Sequence, residues 1–169
     1  ISSLSGLGKD KVETEIEKIR SRDIARSVVE NLRLQNSYVS EAGNLDLRIT
    51  DISCPGVRRF EPSVFTLNVA EDGGKVFVHD AGGKLLGPVV NGSFSSPEVS
   101  FRISGLEKAP ADIVKLACLH VESSVEHLMK RTSVFRMGET SIIGISVEDF
   151  SPVRAKTIVD EYYAVYSRR

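Results

Sequence analysis

No apolar run in this 169-residue chain approaches the roughly 20 residues that a membrane-crossing helix needs. No signal-peptide pattern opens it either. Cysteine is scarce, with Cys54 and Cys118 the only two. That is too few for a disulfide framework or a four-cysteine zinc site. Both are read as buried free thiols, since cysteine is among the most buried residue types. Pairing stays open if the compartment is oxidising. A charge excess is also lacking: 22 Lys and Arg stand against 23 Asp and Glu, for a net charge of -1. No global basic field exists to draw nucleic acid, which is therefore not expected as a partner.

Catalytic signatures are missing as well. No serine sits in a G-x-S-x-G elbow. Gly73-Gly74 and Gly82-Gly83 belong to no G-x-x-x-x-G-K-[ST] phosphate loop and read as hairpin turns. There is no internal repeat and no low-complexity tract. Hydrophobic residues at 41% and charged residues at 27% are ordinary for a globular protein and unlike a disordered chain. The length suits one domain, residues 1–169, with a sizeable core. The chain opens on Ile1 and closes in a helical pattern at Arg168-Arg169, which reads as a fragment of a longer protein.

The most informative stretch is Ser133 to Tyr166, which reads as strand, turn, strand and capped helix. Ser141 to Val147 alternates and is rich in β-branched residues. Ser151 is placed as an N-cap, with Pro152 at the first helical position. Ala155, Ile158, Val159, Tyr162 and Tyr166 give that helix one apolar face.

Upstream, Ile1 to Gly8 reads as a loop or frayed terminus. Asp10 and Glu13 read as a capping box for a first helix striped by Val12, Ile16 and Ile19. Ser21 restarts the chain as an N-cap, and Ile24, Val28, Val29 and Leu32 stripe a second helix. Asn44 to Ile52 alternates weakly and is left open between strand and helix. Val64 to Gly87 is a β-meander punctuated by Asp72-Gly73-Gly74 and Asp80-Ala81-Gly82-Gly83. Asn91 to Pro97 reads as a loop. Val99, Phe101 and Ile103 mark one strand, and Ile113 to Leu119 another. Ser123 with Glu126 forms a second capping box before a short helix striped by Val121, Val125, Leu128 and Met129, and Lys130 and Arg131 close it. Helices at both ends around a strand-rich middle predict an α+β fold, with a mixed or antiparallel sheet containing the meander.

Few residues offer chemistry. His79, His120 and His127 would need to converge to bind metal or catalyse, and ordinary surface histidines are the plainer reading. Glu71-Asp72 and Glu148-Asp149 lie in apparent loops, where exposed turns are commoner than a glycosidase pair. The short basic groups Arg20 and Arg22, Arg58-Arg59 and Lys130-Arg131 read as solvated faces, with a glycan or partner contact as the functional alternative. Tyr162, Tyr163 and Tyr166 suit core or subunit packing better than sugar stacking. No catalytic residue, cofactor-binding residue or metal ligand is assigned, and no cofactor is expected.

Three segments together resemble a known family. KVETEIEKIRSRDIARSVVENLRL resembles the first helical signature of the Wzz-type chain-length-determinant domain, through Ile16, Ile19, Ser21, Arg22, Val28, Val29, Leu32 and Leu34. Phe65, Thr66, Leu67, Asp72, Gly73, Asp80, Gly83, Leu86 and Gly87 resemble its meander. Asp149, Pro152, Ala155, Ile158, Val159, Tyr162 and Tyr166 resemble its last helical segment, with Asp160 where the family usually has Asn. The resemblance covers Lys9 to Gln35 and Phe60 to Tyr166. It implies a periplasmic, membrane-proximal domain of an inner-membrane polysaccharide co-polymerase. It further implies a homo-oligomeric ring, membrane attachment through flanking helices outside this chain, and action on the polymerase or export machinery of an exopolysaccharide, capsule or O-antigen. Glycan is a further candidate partner. On this reading the chain itself is not an enzyme, and any tyrosine kinase would lie outside it. Two other expectations stand beside it: a soluble extracytoplasmic module binding glycan or protein, and a small hydrolase with a perturbed carboxylate or histidine in a cleft.

Overall fold

The computed structural model describes residues 4–71, 74–107 and 110–169, with side chains of the first helix from Lys11 onward. Asp72 and Gly73, expected in the first meander turn, lie outside the described residues. So do Ile1 to Ser3. The fold is α+β, with four helices and ten strands in antiparallel sheets among the described residues. The chain divides into two compact units, one formed by residues 1–34 and 121–169, the other by residues 35–120.

The first unit is mainly helical. It comprises α1 (Leu4–Ile19), α2 (Arg22–Leu32), α3 (Val121–Lys130), the hairpin β9 (Thr132–Arg136) and β10 (Ile143–Val147), and α4 (Pro152–Ser167). The expected stripes are its core. Val12, Ile16 and Ile19 of α1 pack with Ile24, Val28 and Val29 of α2, Val125 and Leu128 of α3, and Ile158, Tyr162 and Val165 of α4. Val134 of β9 completes the cluster. Helical spacing brings these side chains to one face of each helix, and burying that face is what stabilises helices this short.

Helix boundaries differ from the expected ones. α1 begins at Leu4, so Asp10 and Glu13 lie inside it rather than at its start, and Leu4 to Gly8 is helix rather than loop. α3 begins at Val121, so Ser123 lies in its first turn and is no N-cap. A Ser or Asp followed three residues later by Glu marks a start only where the backbone before it is extended. Ser151 meets that condition: its hydroxyl accepts from the Arg154 amide, with Pro152 following. Ser21 is extended and occupies the N-cap of α2, but its side chain makes no cap hydrogen bond.

The second unit is a two-sheet sandwich. The strands are β1 (Asn36–Ser40), β2 (Arg48–Ser53), β3 (Ser63–Val69), β4 (Val76–His79), β5 (Leu85–Pro88), β6 (Ser93–Ser95), β7 (Ser100–Ser104) and β8 (Asp112–Cys118). One sheet runs β1-β8-β3-β4-β5 and the other β2-β7-β6. β3, β4 and β5 are the expected meander. The open segment Asn44 to Ile52 contains β2, and the expected loop Asn91 to Pro97 contains β6. Phe65, Leu67, Val69, Val76, Val78, Val114 and Leu116 point inward from the larger sheet and pack with Ile49, Phe94, Phe101 and Ile103 of the smaller one. The Phe94 and Phe101 rings stack 5.5 Å apart.

The chain leaves and rejoins this unit at neighbouring points, with Asn36 opposite Cys118 in the ladder and Leu119 N–H donating to Gln35 O at 2.7 Å. The expectation of free thiols is overturned here. Cys54 and Cys118 form a disulfide across a sequence separation of 64, joining the turn after β2 to the end of β8. Sequence gives no pairing information for two cysteines this far apart; the bridge exists because the two sheets face each other.

Gly105 closes the β7 exit in a conformation only glycine adopts easily, with φ +77. A Cβ there would lie 2.0 Å from the Asp46 carbonyl oxygen, which is backbone and has little room to move. Gly105→Ala is therefore expected to cost roughly 2 kcal/mol, as strained backbone and a steric conflict combine. The check is a urea unfolding curve, and a change under about 0.5 kcal/mol would contradict it.

Candidate interaction surface

An antiparallel sheet with one face on a core ordinarily turns polar side chains to water. The outer face of the five-stranded sheet mixes such polar side chains with large apolar ones. Its side chains stand in cross-strand rows fixed by the register. One row carries Ile113, Asn68 and Phe77, with Pro88 beyond. The next carries Val39, Lys115, Thr66 and His79, with Leu85 at the edge. A third carries Ser37, Ala117 and Val64. Val39 is 64% exposed, Leu85 54%, Ile113 40% and Phe77 37%. Large apolar side chains gathered on one exposed face mark interaction surfaces more often than isolated ones do.

The polar members of the face are ordered by one another. Lys115 Nζ donates to Thr66 Oγ1 at 3.0 Å. The Asn68 amide donates to His79 Nδ1 at 3.2 Å.

A second, smaller apolar group lies on the β9–β10 hairpin. Phe135 and Gly144 are opposed, and Met137 N–H donates to Ile142 O, so Phe135, Met137 and Ile142 share the hairpin's solvent side. The Phe135 ring occupies the space that a Cβ on Gly144 would need, 2.7 Å away.

The residues singled out by their chemistry are spread through the fold. His79 lies on the sheet face just described, His120 precedes α3, and His127 sits on α3. Among the described residues no group of three or more His, Cys, Asp or Glu could hold a metal ion. The basic groups expected as solvated faces are mostly exposed, as expected, and several also make contacts along the surface. Arg20 Nη2 donates to Val134 O at 2.5 Å. Arg22 joins α2 to Glu122 of α3 at 2.5 Å, and Arg26 contacts the same carboxylate. Arg58 pairs with Glu61 at 3.6 Å, and Arg59 lies over the Phe60 ring.

Asp149 lies in a loop, as expected, but its side chain is turned inward instead of exposed. It accepts from Ser151 N–H at 3.1 Å, Arg131 Nη1 at 2.6 Å and Arg154 Nε at 3.2 Å. Burial pushes its carboxyl up, but the Ser151 amide and the two guanidinium groups outweigh that and hold it below the usual range. Of the tyrosines, Tyr162 is buried, which raises its phenol. Tyr163 is exposed, against the expectation of packing. Tyr166 donates to Glu15 and ties α4 to α1. Its phenol is raised by that contact, while Lys18 and Tyr166 lower Glu15.

No family model matches the chain, and no curated protein matches it. Two solved structures of FlgL from Xanthomonas campestris, in two crystal forms, are similar at 13% and 14% identity, with TM-scores of 0.36 and 0.35. They cover 78% of this chain, which spans only 40% and 41% of theirs. A TM-score of that size carries no function across. The co-polymerase expectation is corrected here: no family model matches the chain, and the solved structures found are of FlgL. The expected ring, polymerase and export partners, and polysaccharide role go with it. The resemblance rested on helix stripes and Asp/Gly turns, which α+β domains of many kinds share. Among the described residues no helix is long and apolar enough to cross a membrane.

Proposed function

We propose that the chain is a non-enzymatic binding module working in an oxidising compartment outside the cytoplasm, such as the bacterial periplasm. The Cys54–Cys118 bridge carries this reading. Disulfides form and persist in oxidising compartments and are rare where glutathione and thioredoxin keep thiols reduced. Cys118 is buried in the sandwich core, which shields the bridge from reductant.

The displaced titratable groups support the non-catalytic part. Asp149 holds the Ser151 amide at the start of α4, Glu15 and Tyr166 link two helices, Arg22 clamps α2 to α3, and Tyr162 is a core residue. Each perturbation has a structural cause, as ion-pair networks and burial produce without catalysis. The exposed apolar sheet face supplies the surface for binding.

The test is thiol trapping in bacterial cells. The chain is produced with and without an export signal, quenched in acid and alkylated with a maleimide that adds mass. Exported protein is expected to resist labelling until reduced, and cytoplasmic protein to label at both cysteines. Two reactive thiols in the exported, folded protein would sink the compartment assignment.

A further inference from the structure

We propose that the sandwich is a self-contained module inserted into the helical unit, that the two units open separately, and that the Cys54–Cys118 bridge clasps the point of insertion. The inference is independent of the compartment and of any partner. Its basis is the path of the chain and where each core ends.

The helical unit is built from two separated stretches, residues 1–34 and 121–169, and the sandwich from the continuous stretch between them. Each unit closes its own core. Every buried apolar residue clustered around Leu67, Val78 and Leu116 belongs to residues 35–120. Every one clustered around Val28, Ile158 and Tyr162 belongs to the flanking stretches. The ladders divide the same way: among the described residues, no strand of the sandwich pairs with β9 or β10. A stretch with its own core and its own sheets has what independent folding requires. Such a unit opens as a whole, and no shared core or ladder obliges the other to follow.

The two crossings between the units lie side by side. Gln35 enters the sandwich and Leu119 leaves it, joined by the Leu119 N–H bond to Gln35 O at 2.7 Å. Asn36 and Cys118 are the next pair. Hydrogen-bonded antiparallel partners stand about 5.5 Å apart. Ends that close allow a module to sit in a host without pulling the host apart. In the host, the insertion falls between Leu34, which packs against the helical core, and Val121, the first residue of α3.

The neck of such an insertion is its weak point. Ladders fray from their ends, and here only Leu119 and His120 separate β8 from α3. Cys118 is the last residue of β8, and the bridge ties it to Cys54 in the turn after β2. Opening of α3 therefore reaches His120 and Leu119 and stops at Cys118. β8 is the strand to hold. It lies between β1 and β3, and β1 has no other partner in the sheet, so losing β8 would release β1 as well.

The test is amide hydrogen exchange in the full 15N-labelled chain, read residue by residue. Ile158→Ala removes a buried side chain from the helical core alone. It is expected to lower the protection of the slowest α2 and α4 amides at least about thirtyfold, and to leave Leu67, Val114 and Leu116 within about twofold. Cys54→Ala should do the reverse, lowering the β3 and β8 amides and leaving the helices within about twofold. The Cys118 amide reports on the clasp. Residues of β8 bond alternately to β1 and β3; Leu119 bonds to Gln35, so Cys118 bonds to Ser63. With the bridge intact, Ile158→Ala should leave the Cys118 amide within about twofold, and in Cys54→Ala the same change should lower it a further fivefold or so.

Loss of protection in both units from either single variant would show one cooperative structure and overturn the separation. Equal effects of Ile158→Ala on the Cys118 amide with and without the bridge would overturn the clasp. If Ile158→Ala unfolds the helical unit outright, dispersed β3 and β8 signals that persist support the proposal, and their collapse overturns it.

Discussion

Replacing Cys54 with alanine is expected to lower the stability of the 35–120 unit by about 4 kcal/mol. The bridge closes a loop across a sequence separation of 64. In the chain-entropy account, restricting an unfolded loop of that length contributes this much. Cys54 is the better position to change. Cys118 is buried among core residues, so its truncation adds a packing loss to the loss of the crosslink. Urea unfolding followed by circular dichroism would read the effect. With a slope of about 2 kcal/mol per molar, the midpoint of this unit moves down by roughly 2 M. Reductant should give the wild type the same shift and leave the variant unmoved. A shift under about 0.5 M would show that the unfolded loop is already restricted without the bridge.

The elements legible in the sequence were those whose side chains carry a strong period. α2 and α4 were visible because Ile24, Val28 and Val29, and Ile158 and Tyr162, repeat at helical spacing and are all buried. The meander was visible through Asp80 and Gly83, where the Asp80 carboxylate accepts from Gly82 and Lys84 N–H and Gly83 takes φ +82. β1 and β6 were not visible. They are three to five residues long, rich in serine, and take their stability from neighbours far along the chain. The sheet face was hidden for a related reason. Phe77 lies between Val76 and Val78, and Ile113 precedes Val114, so the outward apolar residues blur the alternation that marks a half-buried strand. The disulfide and the Asp149 cap depend on residues meeting in space, which periodicity does not report. The family resemblance erred in the same way. It matched stripes and turns, which specify packing, and nothing in them specifies a partner.

Asp149→Ala is expected to destabilise the helical unit by about 2 kcal/mol, because it removes the charged acceptor shared by two guanidinium groups and a backbone amide. The Asp149 side chain is only 4% exposed and receives two guanidinium groups and a backbone amide. Arg131, 27% exposed, would lose its carboxylate while its Nε already lacks a hydrogen-bond partner. α4 would also lose an acceptor at the turn that starts it, beside the Ser151 cap. Asp149→Asn keeps the shape and removes the charge, so it should retain part of the loss and separate the electrostatic share from the steric one. The pH profile supplies the sign. The folded carboxyl lies below its usual value, so its contribution is fully present above the unfolded value of about 4 and is lost as pH falls through the folded one. The wild type should therefore lose stability in acid more steeply than Asp149→Asn, and the two curves should converge toward the lowest pH. Parallel curves between about pH 5 and 2 would show that the carboxylate contributes shape and not charge.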